Sequence, residues 1–155
     1  MQGQTVTIRE ANENDLEAII ALFADDPLGG HGDTTDPQVL PDYRTAFQKI
    51  AASPNETLFV AVLDGEVVGT FQTMVTTTLT ARGSSSLIIE AVQTRADMRG
   101  RGIGAAMIGF AVDRARRDGM RLVQLTSNAL RKDAHRFYER LGFIPSHIGF
   151  KMKLK

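Results

Sequence analysis

The chain begins with apolar and polar residues in alternation, and the same period of two returns near its middle. This pattern predicts strands over residues 5–9, 58–63 and 66–74, because alternate side chains of a strand face opposite sides of a sheet. Asp64-Gly65 separates the last two segments, and a tight hairpin turn favours this pair because it requires positive φ. The pattern therefore predicts an antiparallel hairpin.

Spacings of three and four between apolar residues predict helices. The first begins at Asn14, where a capping box with Glu17 accompanies a buried stripe formed by Leu16, Ile19, Ile20 and Phe23. A weaker helix is predicted over residues 42–52. The segment before it, residues 25–41, is rich in Gly, Asp and Pro and is predicted to be a loop.

The second half of the chain carries a strand-helix-strand pattern. Residues 87–93 are predicted to form a strand, and the next helix has an apolar face of Ile103, Ala106, Met107, Phe110 and Ala111. That helix ends near Gly119. Later elements are a strand over 122–126, a helix over 132–141 capped by Gly142, and a final strand over 148–154. Together these elements predict a mixed α/β fold with a mostly antiparallel central sheet.

Composition and charge narrow the class of protein. The 155 residues include 18 basic and 18 acidic side chains, so neither nucleic acid nor a membrane surface is an expected partner. The absence of cysteine excludes a cysteine nucleophile and a thiolate zinc site, and it fits a cytoplasmic location. We expect a single domain over residues 1–155 and no metal.

The glycine-rich segment from Arg99 to Gly104 follows a predicted strand and leads into a helix. The first amides of a helix have no partner within it, and the helix dipole adds positive charge at the same end. Glycines let phosphate groups approach those amides, and Arg99 and Arg101 add formal positive charge. The segment therefore predicts a site for a diphosphate.

Two common phosphate-binding motifs fit this segment poorly. A Walker loop requires a Gly-Lys pair followed by a hydroxyl residue, and no such string occurs. Gly100, Gly102 and Ala105 match the dinucleotide pattern G-x-G-x-x-A, but residues 94–98 separate them from the strand. The strand that follows also lacks the acidic residue that this motif needs.

A third pattern fits better. Arg99-x-x-Gly102-x-Gly104 resembles the Arg/Gln-x-x-Gly-x-Gly/Ala signature of the GNAT superfamily, the acetyl-CoA-dependent N-acetyltransferases. Asn128 and residues 133–143, which contain Ala-x-x-Phe-Tyr-x-x-x-Gly-Phe, resemble the last helix of that family. The two motifs stand in the family's order and at its usual spacing, and the resemblance spans nearly the whole chain.

The resemblance implies a V-shaped sheet flanked by about four helices, with two strands that splay apart to admit the pantetheine arm of acetyl-CoA. It implies that the coenzyme is contacted by Val92, Gln93, Thr94, Arg99, Gly100, Arg101, Gly102, Ile103, Gly104, Ala105, Asn128 and Phe137. Family members are often homodimers, and the last strand is a candidate for the pairing surface.

Glu90 is the candidate general base. It is the one charged residue of the apolar segment 87–93, and apolar surroundings suit a carboxylate to accept a proton near neutral pH. In the resembling family, a glutamate on this strand often activates the substrate amine. The alternative interpretation is a strand residue that simply faces solvent.

Tyr138 is the candidate general acid. A phenol, with an ordinary pKa near 10, is able to give its proton to a departing thiolate. The family's tyrosine at this place in the motif often protonates the coenzyme's sulfur. The alternative is a packing residue, because Tyr138 lies on a helical stripe with Ala134, Phe137 and Leu141.

Several other residues have two interpretations each. Asn128 binds the pantetheine amides or caps a turn, and Phe137 packs against the coenzyme or the core. His147 borders the acceptor pocket or is structural, whereas His135 is expected to be a solvated helix residue. The loop around His31 is rich in aspartate and is expected to be solvated rather than to bind a cation.

The sequence thus favours transfer of an acetyl group from acetyl-CoA to a primary amine in a ternary complex. The region from Asn128 to His147 resembles small-molecule members of the family, including the aminoalkylphosphonate acetyltransferases, which implies a small amine as acceptor. A protein N-terminus or a lysine is the alternative acceptor. A catalytically weak CoA-binding regulatory module is the hypothesis from another class.

Overall fold

A five-stranded sheet organises residues 5–29 and 31–155, the ranges that the computed structural model describes. In sheet order the strands are β1 (Thr7–Glu10), β2 (Glu56–Leu63), β3 (Glu66–Thr77), β4 (Ser85–Thr94) and β5 (Leu122–Leu125). Neighbouring strands are antiparallel except for β4 and β5, which are parallel. The predicted mixed α/β fold with a mostly antiparallel sheet is confirmed.

The predicted hairpin joins β2 to β3. Asp64 and Gly65 have φ values of 50° and 77°, and Leu63 pairs with Glu66 across the turn. Positive φ at both central residues matches the twist of the flanking strands, which is why Asp-Gly is favoured here. Both strands extend beyond their predicted ends, because the polar residues that flank the apolar runs also pair.

The helices cover both faces of the sheet. They are α1 (Leu16–Ala24), α2 (Leu40–Ala52), the single turn α3 (Thr80–Gly83), α4 (Ile103–Arg117) and α5 (Lys132–Arg140). Helix α4 contacts β3 and β4, and its buried residues belong to the same core cluster as Phe59 and Phe71. Helix α1 also contacts β3 and β4, but its buried residues lie outside that cluster. Alternate side chains of each strand face opposite sides of the sheet, so the same strands pack against α4 on one face and against α1 on the other.

Three details of the predicted helices are wrong. Asn12 rather than Asn14 is the N-cap, and its capping box uses Asp15. Asp15 is buried, and its charge is compensated by Arg9 on β1 (Nη1 to Oδ2, 2.7 Å). Leu22 rather than Phe23 completes the buried stripe of α1. On α4, Ala106 is exposed, whereas Ile108 and Ala115 are buried.

The predicted last strand over residues 148–154 is also wrong. Within the described ranges, residues 143–155 pair with no strand of the sheet. Alternation fixes which side chains share a face, but a strand also needs a neighbouring edge within hydrogen-bonding reach. In the described ranges, no helix is both long and apolar enough to cross a bilayer.

Candidate active site

Strands β4 and β5 separate partway along β4. Their pairing runs from Ser86 opposite Leu122 to Ile89 opposite Leu125, while β4 continues to Thr94. At the separation, Ala91 has a φ of 52°, and residues 91–92 face Phe71 alone on β3. Such a bulge bends its strand, and here it leaves residues 90–94 without a strand on the β5 side. β4 therefore continues past the end of β5, which leaves room beside residues 90–94 where the resemblance places an opening.

The N-terminus of α4 carries a run of unpaired amides. Gly102 is the N-cap with a φ of 82°, and Gly100 has a φ of 75°. The first amide of this region to find an acceptor within the chain is that of Ala106, which donates to the carbonyl of Gly102 at 3.0 Å. In the described ranges, the amides of residues 99–105 have no acceptor, so an anionic ligand would satisfy them.

The two flanking arginines leave this surface positively charged. Among the described residues, Arg99 and Arg101 form no ion pair. A β-carbon at Gly100 or Gly102 would meet nothing within 4 Å, so packing does not require glycine at either position. Glycine is favoured there because φ is positive and because the absence of a side chain lets a ligand approach the backbone amides. The predicted diphosphate site has the expected donors and charge.

Phe137 of α5 packs against the first turn of α4. A β-carbon on Gly104 would lie 3.2 Å from Cζ of Phe137, and the Phe137 ring contacts the core cluster. The ring also meets Tyr138 edge-on, with centroids 5.1 Å apart. Of the two interpretations of Phe137, the structure favours packing, because this contact fixes the distance between the two helices that border the site.

Glu90 lies at the point where β4 leaves β5. It directly follows Ile89, which is the last residue of β4 paired with β5, and it pairs with Gln72 on β3. Its side chain is exposed, so the expectation of apolar surroundings is wrong. Among the residues that the structure describes, its carboxylate has no hydrogen-bond or ion-pair partner, which leaves it available to a ligand in the opening.

Tyr138 is half-buried on α5 between two aromatic rings. Its ring meets those of Phe137 and Phe143 edge-on at 5.1 and 5.9 Å. Burial raises the pKa of Tyr138 above the usual value near 10, and the nearby charge of Arg131 partly opposes this. The phenol therefore stays protonated through neutral pH, as a proton donor must. Glu90 and Tyr138 share no hydrogen bond.

Asn128 forms a turn before α5. Its Oδ1 accepts a hydrogen bond from the amide of Leu130 at 2.9 Å, and its carbonyl accepts from the amide of Arg131 at 2.9 Å. Nε2 of His135 donates to the same carbonyl at 2.8 Å, so the expectation that His135 is merely solvated is wrong. The turn-capping role of Asn128 is present, and within the described chain its side-chain amide group has no acceptor.

A partly buried ion pair, which the sequence did not suggest, forms beside the site with a hydrogen bond to the same carboxylate, and together they connect the loop after α1, strand β4 and the start of α5. The Oδ2 atom of Asp26 accepts hydrogen bonds from Nε2 of Gln93 at 2.6 Å and from Nη2 of Arg131 at 2.8 Å. The Asp26 side chain is 7% exposed. Burial disfavours its charge, but hydrogen bonds from Arg131, the Leu28 amide and Gln93 outweigh burial and lower the pKa of Asp26. We call these three residues the Asp26 cluster.

The Asp26 cluster engages Nε2 of Gln93, which leaves the backbone and the Oε1 atom of that residue for a ligand. Separations of 67 and 105 residues between its members explain why no local pattern indicates it. Two other aspartates of the loop are paired locally: Asp33 accepts from the hydroxyl of Tyr43 at 2.8 Å, and Asp36 accepts from the amide of Gln38 at 2.9 Å. Across the described ranges, no three His, Asp or Glu side chains group as metal ligands.

Comparison with known proteins agrees with this geometry. Residues 16–143 match the profile described as the acetyltransferase (GNAT) family. An aminoalkylphosphonate N-acetyltransferase of Salmonella typhimurium is 35% identical over 112 residues, which cover 72% of each chain.

Solved structures share the fold. One described as a transcriptional regulator from Bacillus halodurans is 43% identical with a TM-score of 0.93, covering 97% of this chain and all of its own. An aminoglycoside N-acetyltransferase in complex with CoA is 18% identical with a TM-score of 0.77, covering 99% of this chain and 98% of its own. The family match covers most of the described chain, and we conclude that this protein is an acyltransferase of the GNAT family.

Proposed function

We propose that the protein transfers an acetyl group from acetyl-CoA to the primary amine of a small molecule, within a single domain over residues 1–155. The observation that carries this proposal is the run of unpaired amides at residues 99–105 beside the opening between β4 and β5. A diphosphate at those amides would direct the rest of an extended ligand toward the exposed carboxylate of Glu90. A cysteine-free chain also fits a cytoplasmic location.

The donor would be held mainly by the backbone. The amides of residues 99–105 and the charges of Arg99 and Arg101 would bind the diphosphate. The free edge of Val92, Gln93 and Thr94 would bind the extended arm in the manner of a neighbouring strand. The side-chain amide of Asn128 would donate to the same arm. When bound, acetyl-CoA supplies the activated acyl carbon as a thioester.

The two candidate catalytic residues act on different protons. Glu90 would accept a proton from the substrate ammonium, directly or through water, because the amine attacks only in its neutral form. The new carbon–nitrogen bond replaces the carbon–sulfur bond, and the leaving thiolate needs a proton. Tyr138, protonated through neutral pH, would donate it. No covalent intermediate on the protein is required.

The small-molecule acceptor is supported by the Salmonella typhimurium relative, whose substrate is an aminoalkylphosphonate. Free thiol release from acetyl-CoA measures turnover, and the chain's lack of cysteine removes any signal from the protein itself. We would test aminoalkylphosphonates, amino acids and simple diamines beside peptides with a free N-terminus or lysine. Release with a small amine supports the proposal, whereas release with peptides alone overturns the acceptor class.

A second function has one specific observation in its favour. The Bacillus halodurans protein that is 43% identical to this chain is described as a transcriptional regulator. A CoA-binding regulatory module would bind acetyl-CoA in a calorimeter and release no thiol with any amine. If acetyl-CoA and CoA both fail to bind folded protein, neither function is possible.

A further inference from the structure

The opening between β4 and β5 has two sides that come from different parts of the chain. The pairing of the two strands ends at Ile89 and Leu125, so residues 90–94 of β4 lie on one side and residues 126–131, which follow β5, lie on the other. We call these two segments the walls of the opening. Within the described ranges, no hydrogen bond or ion pair joins one wall directly to the other. A polar link between them has to run through a third element.

Asp26, in the loop after α1, provides this link. Its Oδ2 atom accepts a hydrogen bond from Nε2 of Gln93 on the first wall at 2.6 Å and another from Nη2 of Arg131 on the second wall at 2.8 Å. An ionised carboxylate only accepts hydrogen bonds, so it is able to bind both donors at once. The bond from Arg131 also joins two opposite charges, which makes it the stronger kind. One oxygen atom thus connects the two walls.

The turn after α1 fixes this carboxylate in place. Oδ1 of Asp26 accepts from the amide of Leu28 at 3.1 Å, and the Asp26 carbonyl accepts from the amide of Gly29 at 3.2 Å. A β-carbon on Gly29 would lie 3.0 Å from Oδ2, the atom that binds both walls. Glycine at position 29 therefore leaves room for the bridging oxygen.

Both ends of the bridge lie beside groups of the proposed mechanism. Gln93 is the middle residue of the free edge 92–94, which would bind the extended arm of the donor. The amide of Arg131 donates to the carbonyl of Asn128, whose side-chain amide would bind the same arm. Arg131 is also the N-cap of α5, the helix that carries Tyr138. A change in the distance between the walls would therefore move several groups that the donor contacts.

We infer that Asp26 is a positioning residue, whose carboxylate sets the width of the opening by joining Gln93 to Arg131. Asp26 itself would touch neither the donor nor the acceptor. Its effect on turnover rests on the proposed function, because it acts through the walls that would hold the donor, whereas the width of the opening depends on no ligand. Asparagine at position 26 has one acceptor oxygen in place of two, so it would lose either the bridge or the bond from the Leu28 amide.

The first test measures the width of the opening without a ligand. The chain has no cysteine, so Ala96→Cys with Lys132→Cys, two exposed sites just beyond the walls, would carry a single pair of spin labels. The distance between the labels in electron paramagnetic resonance should lengthen and its distribution should broaden when Asp26→Asn is added.

Asp15→Asn is the matched control for this measurement. The Asp15 side chain is 8% exposed and pairs with an arginine, much as that of Asp26 is 7% exposed and pairs with Arg131. Its partner, Arg9, lies on β1 at the opposite edge of the sheet from β5. Asp15→Asn should therefore lose a comparable ion pair and keep the wild-type distance distribution. A distribution in Asp26→Asn that equals that of Asp15→Asn overturns the inference.

The second test asks whether this width affects the reaction. Asp26→Asn should lower kcat/KM for acetyl-CoA by about 10- to 100-fold, because a misplacement of about 1 Å is able to cost about 100-fold. Asp15→Asn should turn over like the wild type, and equal values for the two variants would overturn the positioning role. A wild type that neither binds acetyl-CoA nor releases thiol contradicts the proposed function instead, and the distance measurement then decides the role of Asp26.

Gly29→Ala tests the position of the carboxylate rather than its charge. The added methyl group would displace Oδ2 of Asp26 while every charged group of the bridge remains. The label distance and kcat/KM should change in the same direction as in Asp26→Asn, so the inference stays testable even if Asp26→Asn does not fold. Gly109→Ala, where an added β-carbon meets nothing within 4 Å, is the control. Wild-type values of Gly29→Ala in both measurements would contradict the inference.

Discussion

The ring of Phe137 occupies the space in front of Gly104, with Cζ of Phe137 3.2 Å from the position of a β-carbon on that glycine. Gly104 lies in the first turn of α4, within the run of unpaired amides at residues 99–105, and Phe137 immediately precedes Tyr138 on α5. The contact therefore connects the helix end proposed to bind the diphosphate with the helix that carries the proposed acid. The absence of a side chain at Gly104 therefore sets the distance between α4 and α5.

Gly104→Ala should weaken acetyl-CoA binding measurably without unfolding the protein. Alanine is more favourable than glycine in a helix by about 1 kcal/mol, but its methyl group would force the Phe137 ring away from α4. Gly109→Ala is the matched control, because a β-carbon there meets nothing within 4 Å on the same helix. The control should raise the stability to thermal unfolding and leave the affinity unchanged. Equal affinities for the two variants in calorimetry would contradict the spacing argument.

Glu90→Gln should reduce kcat by about 10²–10⁴-fold, the range expected when a general base is removed. The affinity for acetyl-CoA should change little, because the proposed donor site is formed by residues 92–94 and 99–105. Glu139→Gln, an exposed change on α5 with no side-chain partner in the described chain, serves as the control. Steady-state kinetics of both variants decide the matter. Unchanged turnover of Glu90→Gln at every pH would remove Glu90 from the mechanism.

Tyr138→Phe should lower kcat and abolish the alkaline limb of its pH profile. Burial raises the pKa of Tyr138, so in the wild type this limb should lie above the ordinary phenol value of about 10. The ring contacts with Phe137 and Phe143 are retained in the variant, and stability should change little. Tyr43→Phe loses the hydroxyl that binds Asp33 and should keep the limb. A limb that persists in Tyr138→Phe belongs to another group.

Asp26→Asn should lower the free energy of unfolding by about 1–3 kcal/mol at neutral pH, because Arg131 would lose a buried charged acceptor. The pKa of Asp26 is lower in the folded chain than in the unfolded one, where it is about 3.9. Its contribution is thus fully present above pH about 4 and is lost as the pH falls through the folded value.

The control for this prediction is Asp25→Asn, an exposed neighbour with no side-chain partner among the described residues. Denaturant unfolding of the wild type and both variants at neutral and acidic pH is the measurement. The difference between Asp26→Asn and the wild type should shrink toward low pH, while Asp25→Asn should follow the wild type throughout. A constant difference would show that the charge of Asp26 does not contribute.

Local physics made much of the fold predictable. Asp64-Gly65 determines the hairpin because few other pairs adopt two positive φ values, and the glycines at 100 and 102 indicate a helix entry by the same reasoning. The long apolar periods of α1 and α4 placed both helices within a few residues. Leu22 is buried where Phe23 was predicted to be, and Ile108 is buried where Ala106 was predicted to be. These errors arose because the spacing of apolar residues locates the buried face of a helix only approximately, whereas packing against the sheet determines which residues are buried.

The candidate site was predictable only in part. Motif chemistry selected Glu90, Tyr138 and residues 99–105 as candidates, and their roles stay predictions. It did not give the exposure of Glu90, because a strand's sequence does not show which of its faces a neighbouring element will cover. The Asp26 cluster joins residues up to 105 positions apart, and His135 binds a carbonyl whose position depends on the turn at Asn128. No local sequence pattern indicates the Asp26 cluster or the hydrogen bond from His135 to the Asn128 carbonyl.

By itself, the sequence determined the order of the five strands and the four longer helices, the glycine-rich entry to α4 and the chemical groups available there, because backbone preference and side-chain period act over a few residues. Only the tertiary structure decided that β4 bulges at Ala91 and that its pairing with β5 ends at Ile89, that the side chain of Asp26 is buried against Arg131, and that residues 148–154 pair with no strand of the described chain. Each of these depends on which distant segments meet, and that is settled by packing of the whole chain.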